Sequence, residues 1–202
     1  MDRHRINSTG IGKALRTASA ASSDFDLNPD ARSAIPPSLR AASVLVPIVE
    51  RGGGLRLILT RRAALLKHHP GQVAFPGGKQ EPGDPSPVAA ALREAREEIG
   101  LDPDAVEILG ALAPHETVTG FTVSPFVGLV AAAFRPVIDR SEVDEVFDVP
   151  LDFALDPGNY QVHARVWQGR ERRYYVLPYG PHYIWGATAR MLRTFADRIC
   201  EH

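Results

Sequence analysis

The chain has 202 residues, 44% of them hydrophobic, with 23 Lys and Arg set against 24 Asp and Glu for a formal net charge of −1. That length and apolar content suffice for one sizeable core, so a single domain is the default, and the balanced charge excludes a broad nucleic-acid footprint. The lone cysteine, Cys200, excludes an intramolecular disulfide framework and points to a reducing, cytoplasmic setting. No run approaches a membrane span, and the basic start Met1-Asp2-Arg3-His4-Arg5 is followed by no apolar signal segment.

Residues 1–40 are rich in Ser, Ala, Pro and Asp, with weak periodicity apart from a short helix over Ile11 to Thr17. They are expected to form an N-terminal tail or arm over the core, whose loss should be mild, with the domain proper over residues 41–199. Strands are predicted at Ser43–Val49 and Leu55–Thr60, as a hairpin through Gly52-Gly53-Gly54, and at Gln72–Phe75, Val106–Ala113 and Phe121–Ala131. Two more, Tyr160–Trp167 and Arg172–Leu177, are joined by a Gln168-Gly169 turn. Helices are predicted at Pro87–Ile99 and Trp185–Ile199, with a short one near Ser141–Phe147. Mixed strands with helices on both sides fit an α/β fold, an α/β/α sandwich.

The chemistry concentrates in the middle. Arg93-Glu94-Ala95-Arg96-Glu97-Glu98-Ile99-Gly100 puts three carboxylates at helical spacings of three and four, beside an apolar stripe of Val88, Ala91, Leu92, Ala95 and Ile99. The carboxylates are expected to face outward. Their mutual repulsion calls for a cation, supplied either by Arg93 and Arg96 or by a divalent metal. The preceding Phe75-Pro76-Gly77-Gly78 reads as a strand end and glycine loop, with Ser86 as N-cap, Pro87 at the first helical position and Gly100 as stop. Such a strand-loop-helix unit delivers carbonyl and carboxylate oxygens to one point. Oxygen-only ligation suits Mg2+ or Mn2+, and the absence of His and Cys from the cluster argues against zinc.

These residues resemble the signature of the Nudix hydrolases. Gly78, five residues and Asp84 open the pattern, and Arg93 to Leu101 close it, with Asp84 in place of the usual Glu and eight residues, not seven, before Arg93. The segment Leu59 to Gly78, containing Leu59-Thr60-Arg61-Arg62 and His69-Pro70-Gly71-Gln72-Val73-Ala74-Phe75, is similar to the signature of the coenzyme A pyrophosphatase branch, which also carries the one-residue expansion. Val118 to Pro125 and His182 to Ala189 are similar to segments common in that branch. The resemblance covers roughly residues 40 to 198.

It implies a mixed-sheet α/β/α sandwich with a strand-loop-helix catalytic motif, and hydrolysis of coenzyme A or its thioesters to 3′,5′-ADP and a 4′-phosphopantetheine product. A pyrophosphate repels a nucleophile, so hydrolysis needs neutralised phosphoryl oxygens and an activated, in-line water. Glu94, Glu97 and Glu98 with the Gly77 carbonyl are the expected metal ligands, and Arg93 the anchor of the carboxylates. The general base stays open among Glu94, Glu98, Glu116, Glu142 and Glu145. Arg62, Lys67, His69, Gly71 and Phe75 are the expected substrate contacts, and Trp185 and Tyr183 are candidates to stack an adenine or to belong to the core. The expected partner is a small molecule, coenzyme A or acyl-CoA, with neither nucleic acid nor membrane, and a homodimer is an open assembly. Two alternatives stand beside this: a related pyrophosphatase acting on NADH or ADP-ribose, and a non-catalytic binding module, which would lack acidic ligands.

Overall fold

The computed structural model describes residues 7–17, 20–30, 38–167 and 169–201. The basic start at residues 1–5 and Gln168 of the expected turn lie outside them. In chain order the elements are α1 (Ser8–Leu15), β1 (Ser22–Ser23), β2 (Arg40–Arg51), β3 (Gly54–Arg62), β4 (Val73–Ala74), β5 (Gly77–Lys79), α2 (Pro87–Ile99), β6 (Val106–Ala111), β7 (His115–Glu116), β8 (Phe121–Val130), β9 (Val143–Pro150), α3 (Leu151–Ala154), β10 (Gln161–Trp167), β11 (Arg170–Tyr179), β12 (His182–Trp185) and α4 (Ala187–Cys200). Among the described residues, nine strands form one mixed sheet, and β10, β11 and β12 form a separate antiparallel sheet.

β2 runs through the middle. It pairs in parallel with β8 from Arg40↔Phe121 to Val49↔Val130, and antiparallel with β3 across the Gly52-Gly53 turn. Its near-continuous apolar run follows from burial on both faces. Leu45 and Val49 meet Ala91, Ala95 and Ile99 of α2, while Val46 and Ile48 join the opposite core with Ile11, Leu192 and Phe195. Helices on both faces of a mixed sheet make an α/β/α sandwich. Among the described residues, no helix is long and apolar enough to cross a membrane.

α2 keeps the limits its sequence predicts. The Ser86 hydroxyl accepts the Ala89 N–H at 3.2 Å, Pro87 occupies the first turn, and Gly100 ends the helix in the left-handed region at φ 68°. There the Gly100 N–H reaches the Arg96 carbonyl at 2.9 Å.

Three expectations are corrected. The segment read as a helix near Ser141–Phe147 enters strand β9, which pairs with β3 from Arg62↔Val143 to Arg56↔Pro150. Val143, Val146 and Val149 repeat every three residues and imitate a helical stripe, but the open edge of β3 and ion pairs from Arg61 to Glu145 and from Arg56 to Asp148 favour the strand. The last helix begins at Ala187, not Trp185, because His182–Trp185 pairs with β11 and Gly186, at φ 66°, turns the chain.

The third concerns the N-terminal segment, which contributes more to the core than its composition suggests. Ile11, Ala14, Leu15 and Phe25 are buried, and β1 pairs in parallel with β7. The buried Arg198 donates from Nε to the Ala14 carbonyl at 2.8 Å and from Nη2 to the Leu15 carbonyl at 3.1 Å, capping the end of α1, where the Ala14 carbonyl also accepts the Thr17 N–H at 3.4 Å. A second pin joins arm to sheet: the Ser22 hydroxyl lies 2.9 Å from His115 Nδ1, and His115 Nε2 lies 3.1 Å from Asp24 Oδ1. Asp24 Oδ2 also accepts the Val118 N–H at 2.9 Å.

Candidate active site

The short strand β5 lies antiparallel on β2 and leads through a tight loop into α2, so the loop faces the polar side of the helix. Gly78 is where backbone and carboxylate come closest: a Cβ there would stand 2.6 Å from the Glu94 carboxylate. Only glycine fits without displacing Glu94. Arg93 ties loop to helix. Its Nε donates to Asp84 Oδ1 at 2.9 Å, its Nη1 to Glu94 Oε1 at 3.0 Å and Glu97 Oε2 at 2.9 Å, and its Nη2 to the Lys79 carbonyl at 3.2 Å. The bond to Asp84, and after it the bond to Glu94, raise the Arg93 pKa above its ordinary value against burial, and the Arg93 bond in turn lowers that of Asp84. Asp84, the departure from the usual Glu, is thus a fixed partner of Arg93.

The outward-facing expectation for the carboxylates fails at Glu98, whose residue is 2% exposed. Glu98 follows Ala91 by seven residues, two helical turns, which puts it on the stripe of Ala91 and Ala95. Burial pushes its carboxyl up to about 8; Glu94 and Glu142 push the same way, against Arg62 and the Gly77 N–H. The Gly77 N–H donates to Glu98 Oε2 at 3.3 Å. Glu94 is also raised, chiefly by burial, with Arg93 opposing. The expected third ligand, Glu97, is different: its side chain is 58% exposed and held by Arg93.

Glu142 takes that third corner. Oxygens of Glu94, Glu98 and Glu142 lie within 4.8 Å of one another. The loop before β9 carries Glu142 there by closing the end of α2, where the Val137 and Asp139 N–H groups donate to the Ile99 and Glu98 carbonyls at 2.9 and 3.0 Å. Of the other open candidates for a base, Glu116 is near the Ser23 hydroxyl, and Glu145 pairs with Arg61 and lies 3.8 Å from His182. Neither joins the cluster. The sequence held a signal for Glu98 in its register with Ala91, and offered Glu142 only as one of five candidate bases, since its position depends on tertiary docking.

The upstream segment reaches the same place. Arg62, at the end of β3, puts Nη1 3.9 Å from Glu98 Oε1, and its buried Nε has no hydrogen-bond partner among the described residues. The chain then loops out and returns: the Gly71 N–H donates to the Arg62 carbonyl at 3.1 Å, and the Arg62 N–H to the Gln72 carbonyl at 3.0 Å. His69 adopts a positive φ of 54° within this loop, uncommon outside glycine. Lys67 and His69 are exposed on it. Phe75 is not a surface contact, since it is buried in the main core.

The carboxylate trio, with Glu98 buried, Glu94 half-buried and Glu142 exposed, lies beside the Arg62 guanidinium and so has the donor chemistry to take a cation next to an anion. The NUDIX domain family matches residues 39–167 of the chain. The chain belongs to the Nudix hydrolases. It is 44% identical over 163 residues to a Klebsiella pneumoniae protein named "Uncharacterized Nudix hydrolase NudL", covering 79% of this chain and 83% of that one. A Cronobacter sakazakii protein of the same name is 44% identical over 165 residues, covering 80% and 84%. Among solved structures, the MutT protein of Methanosarcina mazei Go1 is 21% identical, covering 81% of this chain and 94% of that one, with a TM-score of 0.47.

The chain is accordingly a Nudix pyrophosphohydrolase. Nudix hydrolases generally use a divalent ion such as Mg2+ or Mn2+. The donor set fits one: three carboxylates, no nitrogen or sulfur, and oxygens spaced as ligands of one hard cation are.

Proposed function

We propose that this Nudix hydrolase cleaves the pyrophosphate bond of coenzyme A or its thioesters, yielding 3′,5′-ADP and a 4′-phosphopantetheine product. The observation that carries this reading is Arg62. It belongs to the segment that resembles the coenzyme A branch, stands 3.9 Å from Glu98, and keeps a buried Nε without a hydrogen-bond partner among the described residues. A buried guanidinium donor left unpaired is costly unless a ligand completes it, and phosphate oxygens match its fork.

Glu94, Glu98 and Glu142, with the Gly77 carbonyl, would hold Mg2+ or Mn2+, which supplies charge neutralisation on the phosphoryl oxygens and a more acidic water. Arg62 binds and orients the diphosphate from the opposite side. Arg93 fixes Glu94 and so fixes the loop at Gly78. The α2 end and the 137–142 loop hold Glu98 and Glu142 together, and the burial of Glu98 strengthens its charge interactions at the site. Lys67 and His69, on the exposed loop, are assigned to the phosphate-rich half of coenzyme A. Product analysis and kcat/KM on coenzyme A, NADH and ADP-ribose at one Mg2+ concentration test the reading. Coenzyme A should be the best substrate; preference for NADH or ADP-ribose overturns it.

A further inference from the structure

We propose that the outer face of the β10–β11–β12 sheet is the platform on which the substrate's nucleobase stacks. The register pairs His163 with Tyr174, Val176 with Trp185 and Pro178 with Tyr183. Since side chains two apart share a face, His163, Arg165, Tyr174, Tyr183 and Trp185 point the same way. The opposite face carries Leu177 and Ile184 into the main core. The outer residues form one connected surface. Tyr174 and Trp185 rings meet edge-on at 5.3 Å, the Tyr183 hydroxyl lies 2.8 Å from His163 Nδ1 and 3.5 Å from the Tyr174 hydroxyl, and the Arg165 guanidinium sits 4.7 Å from the Trp185 ring centre. Tyr183 is 42% exposed, and Arg165 is exposed as well.

Cross-strand aromatic pairs can serve a sheet alone. Two observations point to a ligand instead. The platform adjoins the active site: Gly186, next to Trp185, packs so that a Cβ would lie 3.7 Å from Gln72 Nε2, and Thr188 donates to the Val73 carbonyl at 3.1 Å. Gln72 is the residue whose carbonyl holds the Arg62 N–H, so platform, returning loop and carboxylate trio are consecutive. Charge is the second: an exposed guanidinium lying on the aromatic surface complements a substrate that is anionic beside its base, and an aromatic or guanidinium plane accepts any base by its π-face. The occupant is therefore the base of the nucleoside diphosphate itself. The inference rests on the nucleotide class of the substrate and not on coenzyme A.

The test compares wild type with Tyr183→Ala and Arg165→Ala, both at surface positions, on a base-bearing diphosphate and on the same compound with an abasic ribose. Each variant should raise KM for the base-bearing substrate by roughly ten-fold, the scale of one lost stack, with kcat retained and the abasic compound unaffected. In a Trp167→Phe background, AMP should quench Trp185 fluorescence without added metal, and ribose 5-phosphate should not. Base-dependent KM on ADP-ribose with no turnover of coenzyme A would uphold the platform while removing the coenzyme A reading. Unchanged KM, an equal rise on the abasic compound, absence of AMP quenching, or variants that alter only self-association or RNA binding would each overturn it.

Discussion

Two polar clusters in this molecule differ in burial and in completeness. Ser22, His115 and Asp24 line up as a hydroxyl, an imidazole and a carboxylate, yet Ser22 is 3% exposed and His115 0%, both imidazole nitrogens have partners, and Asp24 accepts a further N–H. Nothing can reach Ser22 to be attacked, and the trio's polar groups are spent on one another. The Glu94–Glu98–Glu142 cluster is the reverse. Three carboxylates crowd together, burial pushes Glu98 up to about 8, Arg93 bonds Glu94 at 3.0 Å, and Arg62 stands off from Glu98 at 3.9 Å with its Nε unpartnered among the described residues. The closed cluster ties the arm to the sheet; on the proposed reading the open one would be completed by cation and phosphate. In this molecule the satisfied trio specifies structure, and the crowded trio with perturbed carboxyls is where chemistry is sought.

The largest effect expected on the closed side is removal of the arm. Deleting residues 1–30 strips Ile11, Leu15 and Phe25 from the core, at roughly 1.5–3 kcal/mol each, and leaves Arg198 without its carbonyls. Against a total stability of about 5–15 kcal/mol, soluble folded protein should be lost. A cooperative melt within a few degrees of wild type would show that the arm is only a cover.

On the open side, Glu98→Gln should lower kcat by at least about 100-fold at saturating Mg2+, the scale of losing a charge that acts on the reacting phosphoryl group, while circular dichroism stays native. Retained turnover would remove Glu98 from the site. Glu142→Gln, at the corner absent from the sequence motif, should also depress turnover and weaken Mg2+ activation. Arg62→Ala should cost roughly ten- to a hundred-fold in kcat/KM on coenzyme A, from a charge-assisted bond of about 1.5–3 kcal/mol; equal losses on every diphosphate would assign it to the reacting phosphates in general. The smallest change is His115→Ala, which should lower stability by about 1–3 kcal/mol by leaving Ser22 and Asp24 short of partners, with kcat/KM of the folded enzyme unchanged. A fall in kcat/KM at intact stability would mean that the trio is not only structural.

The contrast also explains what the sequence could disclose. α2, its cap at Ser86 and its stop at Gly100 are local, and composition and spacing state them fully. The buried β2–β3 hairpin is legible for the same reason. Glu98's burial was legible too, through its two-turn offset from Ala91, but three carboxylates in a row read more readily as one solvated face. Glu142 and the role of the arm were not legible. Glu142 reaches Glu98 because loop N–H groups close the end of α2, and the arm holds because Arg198, distant in sequence, meets the α1 carbonyls. Val143, Val146 and Val149 misled by period, since a spacing of three cannot report that β3 has an open edge.

The central claim is that Glu98 is held in an unfavourable state until the site is filled, and its pH dependence gives the sign. With its folded pKa raised above the unfolded value, the folded chain binds the extra proton between about pH 4.5 and 8. Glu98's contribution to stability is therefore intact below that window and lost as pH rises through it. The measurement is the melting temperature of wild type and Glu98→Gln, in chelator, from pH 5 to 9. The account predicts that the variant gains on wild type as pH rises, by a few kcal/mol at most across the window, and that Mg2+ narrows the gap at high pH by stabilising wild type alone. Parallel curves at every pH, with Mg2+ stabilising both proteins equally, would contradict it.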